Sequence, residues 1–570
     1  MENKKWKRFG SCLMALAMVL SGTALPASAA TPGKDGSAEM NEAYAAHESL
    51  MPIGPSFSVA TLLEWTPESD PDARYSRASI PMANREGGFV VNPKANPEAK
   101  LMLCSLANSS HDTTSSQGTE NFMSWSFNYW QYSFVYWSGS EEGLICCPTG
   151  EFTDAAHTNG VPVVATLGFP WGSGSGYAEE VDAFCQKAED GSFPVADKLL
   201  EVMDYYGFDG YFFNQESFGC SAEIASRLDE MIRYMRAKCP DILISWYDSM
   251  LPSGGVSYQN AVNSSNQRWM ERSDDGSVGI NEFFMNYNWY TGQISTTVST
   301  MNSINRSPFD AYAGLDVQQN GMNTPFRDEL LVDEDGKLKL SIALYCPNST
   351  LGNSANGAQF HEVEQDFYVN SASDPRVEVA NVSSPTWLGM SRFFADKTPI
   401  LSTPFVTSFN SGHGVGYYVN GELSRDNEWS YQSVQDVMPT WTWIIDSDGS
   451  KLDGGYDFTD AYNGGTSIQF YGDLDANKAN DIMLYSTDVA VTEGMTLSLT
   501  AKNDDGKARL VAYYGNDSTA SYEECETVAY DLTASEADTW TTTVVDISDH
   551  AGKTLYAIGL KVESDTAVSD

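Results

Sequence analysis

Short apolar runs, each closing on polar or aromatic residues, alternate along most of this chain with stretches whose apolar positions recur every three or four residues. The runs are YSFVYW (132–137), VPVVATLGF (161–169), GYFFNQE (210–216), ILISWYD (242–248), EFFMNYNW (282–289), DAYAGLDV (310–317), LSIALYC (340–346) and ILSTPFVTSF (400–409). Each reads as a buried strand, and eight is the number that closes a parallel barrel. The clearest intervening helix is 221–240, where Ile224, Leu228, Met231, Ile232 and Met235 line one face, Ser221 stands as N-cap and Pro240 ends the pattern. A second helical stretch, 177–206, is expected to break near Gly191. Strand and helix in alternation over this length predict an α/β protein, a (β/α)8 TIM barrel whose chemistry sits at the C-terminal ends of its strands.

The texture changes near residue 450. TSIQFYG, MTLSLTAK, ARLVAYYG, TWTTTVVDI and TLYAIGLKV alternate with Asp, Gly and Asn turns and carry no helical period. This predicts a C-terminal β-sandwich of the galactose-binding-like kind over 450–570, reached through a Gly-, Tyr- and Trp-rich bridging segment, 411–449. The barrel is assigned to 59–410, with 59–120 as an ordered lead-in, and 31–58 reads as a flexible linker. Residues 1–30 have the form of a secretory leader: Lys4, Lys5, Lys7 and Arg8, an apolar run from Cys12 to Leu20, then ALPASAA. The expectation is an exported, extracellular protein without membrane insertion. The chain is read as stopping one strand short of a full sandwich, which leaves room for a cell-surface anchor.

Charge narrows the field. With 77 acidic against 33 basic residues, the net charge is −44, which repels nucleic acid and anionic membranes. The cysteines show no CxxC pair and no His at ligand spacing, so a structural zinc site is not expected; the mechanism read below needs no metal or other cofactor, and a structural calcium in the sandwich stays open. Aromatic residues are 12% of the chain, a supply of flat faces on which sugar rings stack.

The stretch YGFDGYFFNQES (206–217) concentrates the chemistry. Side chains alternate along a strand, so Phe212, Asn214 and Glu216 share one face and project at its rim. A carboxyl set among aromatic rings has a raised pKa and is ready to donate a proton. Most glycosidases pair it with a second carboxylate; here its place is held by Asn214, which cannot attack. Substrate-assisted cleavage needs no second carboxylate, because a 2-acetamido oxygen attacks its own anomeric carbon and an amide suffices to orient it.

Taken together, YGFDGYFFNQES, ISWYDSM, FFMNYNW, DAYAGLDV, NYWQYSFVYWSGS and PFVTSFNSGHG resemble glycoside hydrolase family 85, the endo-β-N-acetylglucosaminidases. The resemblance implies retaining cleavage of the β-1,4 bond between the two core N-acetylglucosamines of N-linked glycans; the partners expected are glycans on glycoproteins or free oligosaccharides, and the chain is expected to act as a monomer. It implies Glu216 as acid/base, Asn214 as the residue orienting the acetamide, and Tyr247 as the donor to the acetamide carbonyl. Tyr258 stands where the family often presents a tryptophan. Trp130, Trp137, Phe169, Trp171, Asn286, Asn288, Trp289 and Asp316 lie at or near strand ends and are candidate cleft residues. Two alternatives stay open on the residues alone: a chitinase-like family 18 enzyme, whose strand resembles D-G-x-D-x-D-x-E, and a glycan-binding protein without catalysis. Asp209 reads as a structural ligand of the backbone and His413 as a loop residue.

Overall fold

The computed structural model describes residues 55–70, 73–105, 118–138, 144–382, 384, 386–503 and 507–569, all within the unit Ile53–Asp570. The proposed leader therefore lies outside the described residues.

Eight parallel strands close a barrel: β1 (Leu101–Ser105), β2 (Ser133–Ser138), β3 (Val163–Gly168), β4 (Gly210–Asn214), β5 (Leu243–Tyr247), β6 (Glu282–Met285), β7 (Ala311–Asp316) and β8 (Ser341–Tyr345). β8 returns to β1 with Ile342 opposite Leu101 and Tyr345 opposite Cys104. Seven of these strands coincide with expected runs, but the eighth expected run does not. Residues 400–409 form no strand; Pro404 lacks a ladder donor, and Ile400, Phe405 and Phe409 pack into the C-terminal core instead. The missing barrel strand is β1, a five-residue segment buried throughout inside the stretch read as a lead-in.

The alternation inferred for the fourth strand is realised. Tyr211 and Phe213 face outward into the core between strands and helices, while Phe212 faces the barrel interior with Val135, Val164, Tyr247, Phe284 and Tyr312. Gly210 permits β4 and β5 to approach, since a Cβ there would stand 1.8 Å from the Leu243 carbonyl oxygen. At the N-terminal end of the barrel, Glu282 closes the interior, accepting from Ser245 Oγ at 2.8 Å and the Tyr312 hydroxyl at 2.7 Å.

Helices cover the outside: α1 (Gly150–Thr158), α2 (Tyr177–Phe184), α3 (Pro194–Tyr206), α4 (Ala222–Lys238), α5 (Thr291–Ser303) and α6 (Gly357–Tyr368). The break expected near Gly191 separates α2 from α3, with Gly191 at φ 88°. In α4, Ser221 caps the first turn through Ile224 N–H, and Leu228, Met231, Ile232 and Met235 are buried. Asp209 has the structural role expected of it. Its Oδ2 accepts from Val163 N–H at 2.7 Å and pairs with His157 Nε2 of α1 at 2.9 Å.

The C-terminal region is built from antiparallel strands β9 (Ile444–Ser447), β10 (Asp453–Asp457), β11 (Ser467–Tyr471), β12 (Lys478–Ala490), β13 (Thr496–Ala501), β14 (Ala508–Gly515), β15 (Glu526–Asp531), β16 (Thr541–Asp546) and β17 (Thr554–Ser564). A five-stranded sheet in the order β9-β12-β17-β14-β15 is faced by the ribbons β10–β11 and β13–β16. Ile445, Ile482, Leu484, Ala512 and Leu555 of the sheet share one apolar core with Tyr456, Phe470, Leu497 and Val545 of the ribbons, which makes this a two-layer sandwich.

His413, read as a loop residue, begins a two-residue strand, His413–Gly414, and is a fully buried link in a polar chain. Gln435 Nε2 donates to Asn128 Oδ1 at 2.6 Å; Asn128 Nδ2 lies 2.9 Å from His361 Nδ1; His361 Nε2 lies 2.6 Å from His413 Nε2; His413 Nδ1 lies 2.9 Å from the Phe122 carbonyl. The carbonyl can only accept, so His413 donates through Nδ1 and accepts through Nε2, and each ring is neutral. Burial holds both imidazoles below their ordinary pKa, His413 at about 4. The folded state therefore resists protons that the unfolded chain takes up near pH 6.5. Stability is complete above that value and is lost as pH falls toward about 4, at ~1.4 kcal/mol per pH unit for each ring. Urea unfolding between pH 7 and pH 4.5 should show this slope, and His413→Gln should be less stable at neutral pH yet less acid-sensitive. An unchanged slope in that variant would contradict the neutral chain.

Candidate active site

Glu216 lies two residues beyond β4, half-buried at the C-terminal rim. The neighbouring loop fixes its backbone: Gly172 N–H donates to the Glu216 carbonyl at 3.1 Å, and Phe218 N–H returns to the Gly172 carbonyl at 2.7 Å. Tyr258, on the loop after β5, donates its hydroxyl to Glu216 Oε1 at 2.5 Å. Desolvation raises the Glu216 pKa, and hydrogen bonds from Tyr258 and the Asn214 amide draw it partly back. With the Asn214 nitrogen turned to the carboxyl, its side-chain oxygen remains an acceptor.

Tyr247 ends β5 on the same interior face, 8% exposed. Asn286 Nδ2 donates to its hydroxyl oxygen at 2.7 Å, so the phenolic proton is directed elsewhere. Burial, Glu216 and Tyr258 all raise the Tyr247 pKa, which keeps that proton in place. The barrel thus collects an acid, an amide acceptor and a phenol donor from two adjacent strands.

The wider set of candidate residues divides. Trp171 stands on the rim, 63% exposed, with its ring 6.3 Å from that of Phe218. Asn288 and Asp316 are exposed at the ends of β6 and β7, and Trp137 is the penultimate residue of β2. Three others are core residues. Trp130 precedes β2, at the opposite end of the barrel, and its indole N–H donates to Gln435 Oε1 at 2.7 Å. Phe169 packs edge-on against Phe184 of α2. Trp289 is buried outside the barrel and donates to the Gly314 carbonyl at 2.8 Å. An aromatic residue at a strand end faces the cleft or the surrounding core according to its register, and Phe169 and Trp289 take the core side.

Sequence reasoning passed over Phe218 and Tyr290, and took Asp248 only as a supporting residue. Tyr290 is half exposed, and Arg327 lies over its ring at 4.7 Å. Asp248, whose side chain alternates away from that of Tyr247 along the strand, is buried and gathers the loop that carries Tyr258. Its signal was an acidic residue directly following an apolar strand, which needs partners if it is hidden.

Residues 107–417 match the model of glycosyl hydrolase family 85. The glycoside hydrolase domain of Endo-D from Streptococcus pneumoniae R6 superposes with a TM-score of 0.84 at 37% identity, covering 91% of this chain and 82% of that one. The cytosolic endo-β-N-acetylglucosaminidase of Gallus gallus is 26% identical over 430 residues, covering 72% of this chain and 51% of the relative. The protein of the same name from Homo sapiens is 26% identical over 464 residues, covering 78% and 56%. The chain spans about half the length of the curated relatives it matches.

These comparisons correct one expectation. The chain was read as secreted, extracellular or surface-anchored, whereas its curated relatives are named cytosolic, which points to an intracellular location. Among the described residues no helix is long and apolar enough to cross a membrane.

Proposed function

Because the chain belongs to glycosyl hydrolase family 85, we propose that it is a retaining endo-β-N-acetylglucosaminidase that cleaves the β-1,4 bond between the two core N-acetylglucosamines of N-linked glycans. The observation that carries this reading is the amide of Asn214, which shares Glu216's strand face and lies within hydrogen-bond reach of its carboxyl. A second carboxylate at that place would serve as nucleophile; an amide leaves the nucleophile to the substrate.

In the first step the acetamide oxygen attacks the anomeric carbon as the bond to the leaving oxygen breaks. Glu216 gives its proton to that oxygen, and the product on the enzyme is an oxazolinium ion. Asn214 Oδ1 accepts from the acetamide N–H and holds it in line. The Tyr247 hydroxyl, its own oxygen occupied by Asn286, donates to the acetamide carbonyl and orients the attacking oxygen. In the second step the Glu216 carboxylate takes a proton from water, which attacks the anomeric carbon, breaks its bond to the acetamide oxygen and restores the original configuration. Each of these roles falls to a group whose proton and lone pairs are aimed by its neighbours.

Trp171, Tyr258, Asn288 and Asp316 reach the rim and are the members of the candidate set suited to contact the glycan, with Trp137 retained for its place on β2. The acidic protein surface suits a neutral saccharide.

Mass spectrometry of a glycoprotein carrying defined high-mannose, core-trimmed and complex glycans tests the reading. The expected product leaves one N-acetylglucosamine on asparagine. Intact glycans from all three classes would rule it out.

A further inference from the structure

Asp248 directly follows β5 and is 1% exposed. Its Oδ1 accepts from Gln259 N–H at 3.2 Å and from the Asn266 side-chain amide at 3.2 Å, and its Oδ2 accepts from Asn260 N–H. The chain between is a tight hairpin, closed by Leu251 N–H to the Gly255 carbonyl and Ser257 N–H to the Ser249 carbonyl, each 2.8 Å. The loop therefore leaves the barrel at Asp248, turns, and is clasped on its return by the same side chain. Tyr258 sits between the hairpin and the clasp. Asn260 reinforces the arrangement: it adopts φ 55°, its Oδ1 accepts from Asn288 N–H at 2.9 Å, and its Nδ2 reaches the Tyr258 carbonyl at 3.3 Å.

We infer that Asp248 is a positioning residue for the acid: its carboxylate gathers the donors of Gln259, Asn260 and Asn266 and so holds the Tyr258 hydroxyl on Glu216 Oε1. The inference rests on the family 85 reading for its catalytic consequence. With Oε1 occupied by Tyr258, the proton of Glu216 is confined to Oε2, facing the leaving oxygen. Release of the loop lets the carboxyl turn, and turnover falls with little change in substrate binding.

The clasp requires an anion. The N–H donors of Gln259, Asn260, Asn266 and Asn286 converge on two oxygens, and a protonated acid would set an O–H against one of them. The titratable groups facing Asp248 are Tyr247 from its own strand and Tyr258 from the loop, with Glu216 beyond them; its remaining partners are the neutral amides of Gln259, Asn260, Asn266 and Asn286. No cation offsets the burial, which pushes Asp248 up to about 6. Acid therefore loosens the clasp as pH falls through that range. Substrate-assisted attack needs no ionised carboxylate in its first step, so an acid limb in kcat/KM belongs to Asp248.

The experiment compares kcat/KM against pH for the wild type, Asp248→Asn, Tyr258→Phe and the double variant. The substrate is whichever glycopeptide of the high-mannose, core-trimmed and complex panel the wild type cleaves fastest. Asn supplies one acceptor where two are needed. Asp248→Asn is expected to lose about 10- to 100-fold in kcat/KM, mostly through kcat, and to lose the acid limb. Tyr258→Phe should lose the acid limb too, and the double variant should be no worse than the poorer single one. An acid limb kept in either variant, or losses that multiply, overturns the inference. Tyr258→Phe removes one hydroxyl from a rim loop and decides the matter alone if Asp248→Asn does not fold.

A readout without turnover separates this inference from the reading it rests on. In NMR titrations of isotope-labelled glutamate carboxyls, with Glu216 assigned through Glu216→Gln, Asp248→Asn should raise the Glu216 pKa, because the Tyr258 bond that lowers it is gone. An unshifted Glu216 overturns the clasp. A wild type inert toward every glycopeptide removes the family reading while this titration still decides what Asp248 holds.

Discussion

Glu216→Gln is expected to lower hydrolysis by about 10²- to 10⁴-fold while leaving glycan binding intact. Glutamine keeps the shape of the side chain and still accepts from the Tyr258 hydroxyl, but it has no proton to give the leaving oxygen. Steady-state hydrolysis together with a binding measurement on the inert variant separates the two effects. The wild-type pH profile belongs to the same expectation. In the proposed role Glu216 works protonated, and desolvation holds its pKa above the ordinary carboxylate value against the pull of Tyr258 and Asn214. Activity is therefore present below that raised pKa and lost as pH rises through it, with a midpoint above the ~4.3 of a free glutamate. The sign carries over to stability: a carboxyl with a raised folded pKa costs stability once the unfolded chain ionises, so Glu216→Gln should melt no lower than the wild type at neutral pH. A variant that hydrolyses at close to the wild-type rate would remove Glu216 from the role of acid.

Tyr247→Phe is expected to cost about 10² to 10³ in kcat with a much smaller change in KM, the pattern of a donor that holds the attacking oxygen in line with the anomeric carbon. The ring is packed among Phe212, Phe284 and Tyr258, so deleting the hydroxyl leaves the core filled and the fold unchanged. What is lost is a phenol kept protonated by burial and aimed by Asn286. Asn286→Ala should follow in the same direction with a smaller effect, since it frees the phenol to rotate without removing it. Kinetics on one glycopeptide across the three proteins tests the order. A Tyr247→Phe enzyme with unchanged kcat and raised KM would make the hydroxyl a ground-state contact only.

The barrel was legible because its strands are buried on both faces and therefore read as unbroken apolar runs. Where that rule was applied to 400–409 it failed, because Ile400, Phe405 and Phe409 are apolar for the sake of the sandwich core. β1 escaped notice because five residues embedded in a mixed stretch carry little periodic signal. The same limit governs the site. Trp130, Phe169 and Trp289 share the composition expected of a cleft, yet their rings lie against Gln435, Phe184 and the Gly314 carbonyl. Whether an aromatic ring meets sugar or core depends on what stands opposite it, and a single strand does not contain that information.

By itself the sequence determined the parallel barrel, the sandwich after it, and the shared face of Phe212, Asn214 and Glu216. Each follows from local rules: alternation along a strand, helical periodicity, and the turn residues between them. Only the tertiary structure decided that Tyr258 closes on Glu216, that Asn286 aims the Tyr247 proton, that Asp248 clasps its own loop, and that His361 and His413 join Asn128 to Phe122 as neutral rings. These depend on hydrogen bonds between groups far apart in the chain, whose directions are set only when burial removes the water that would otherwise satisfy them.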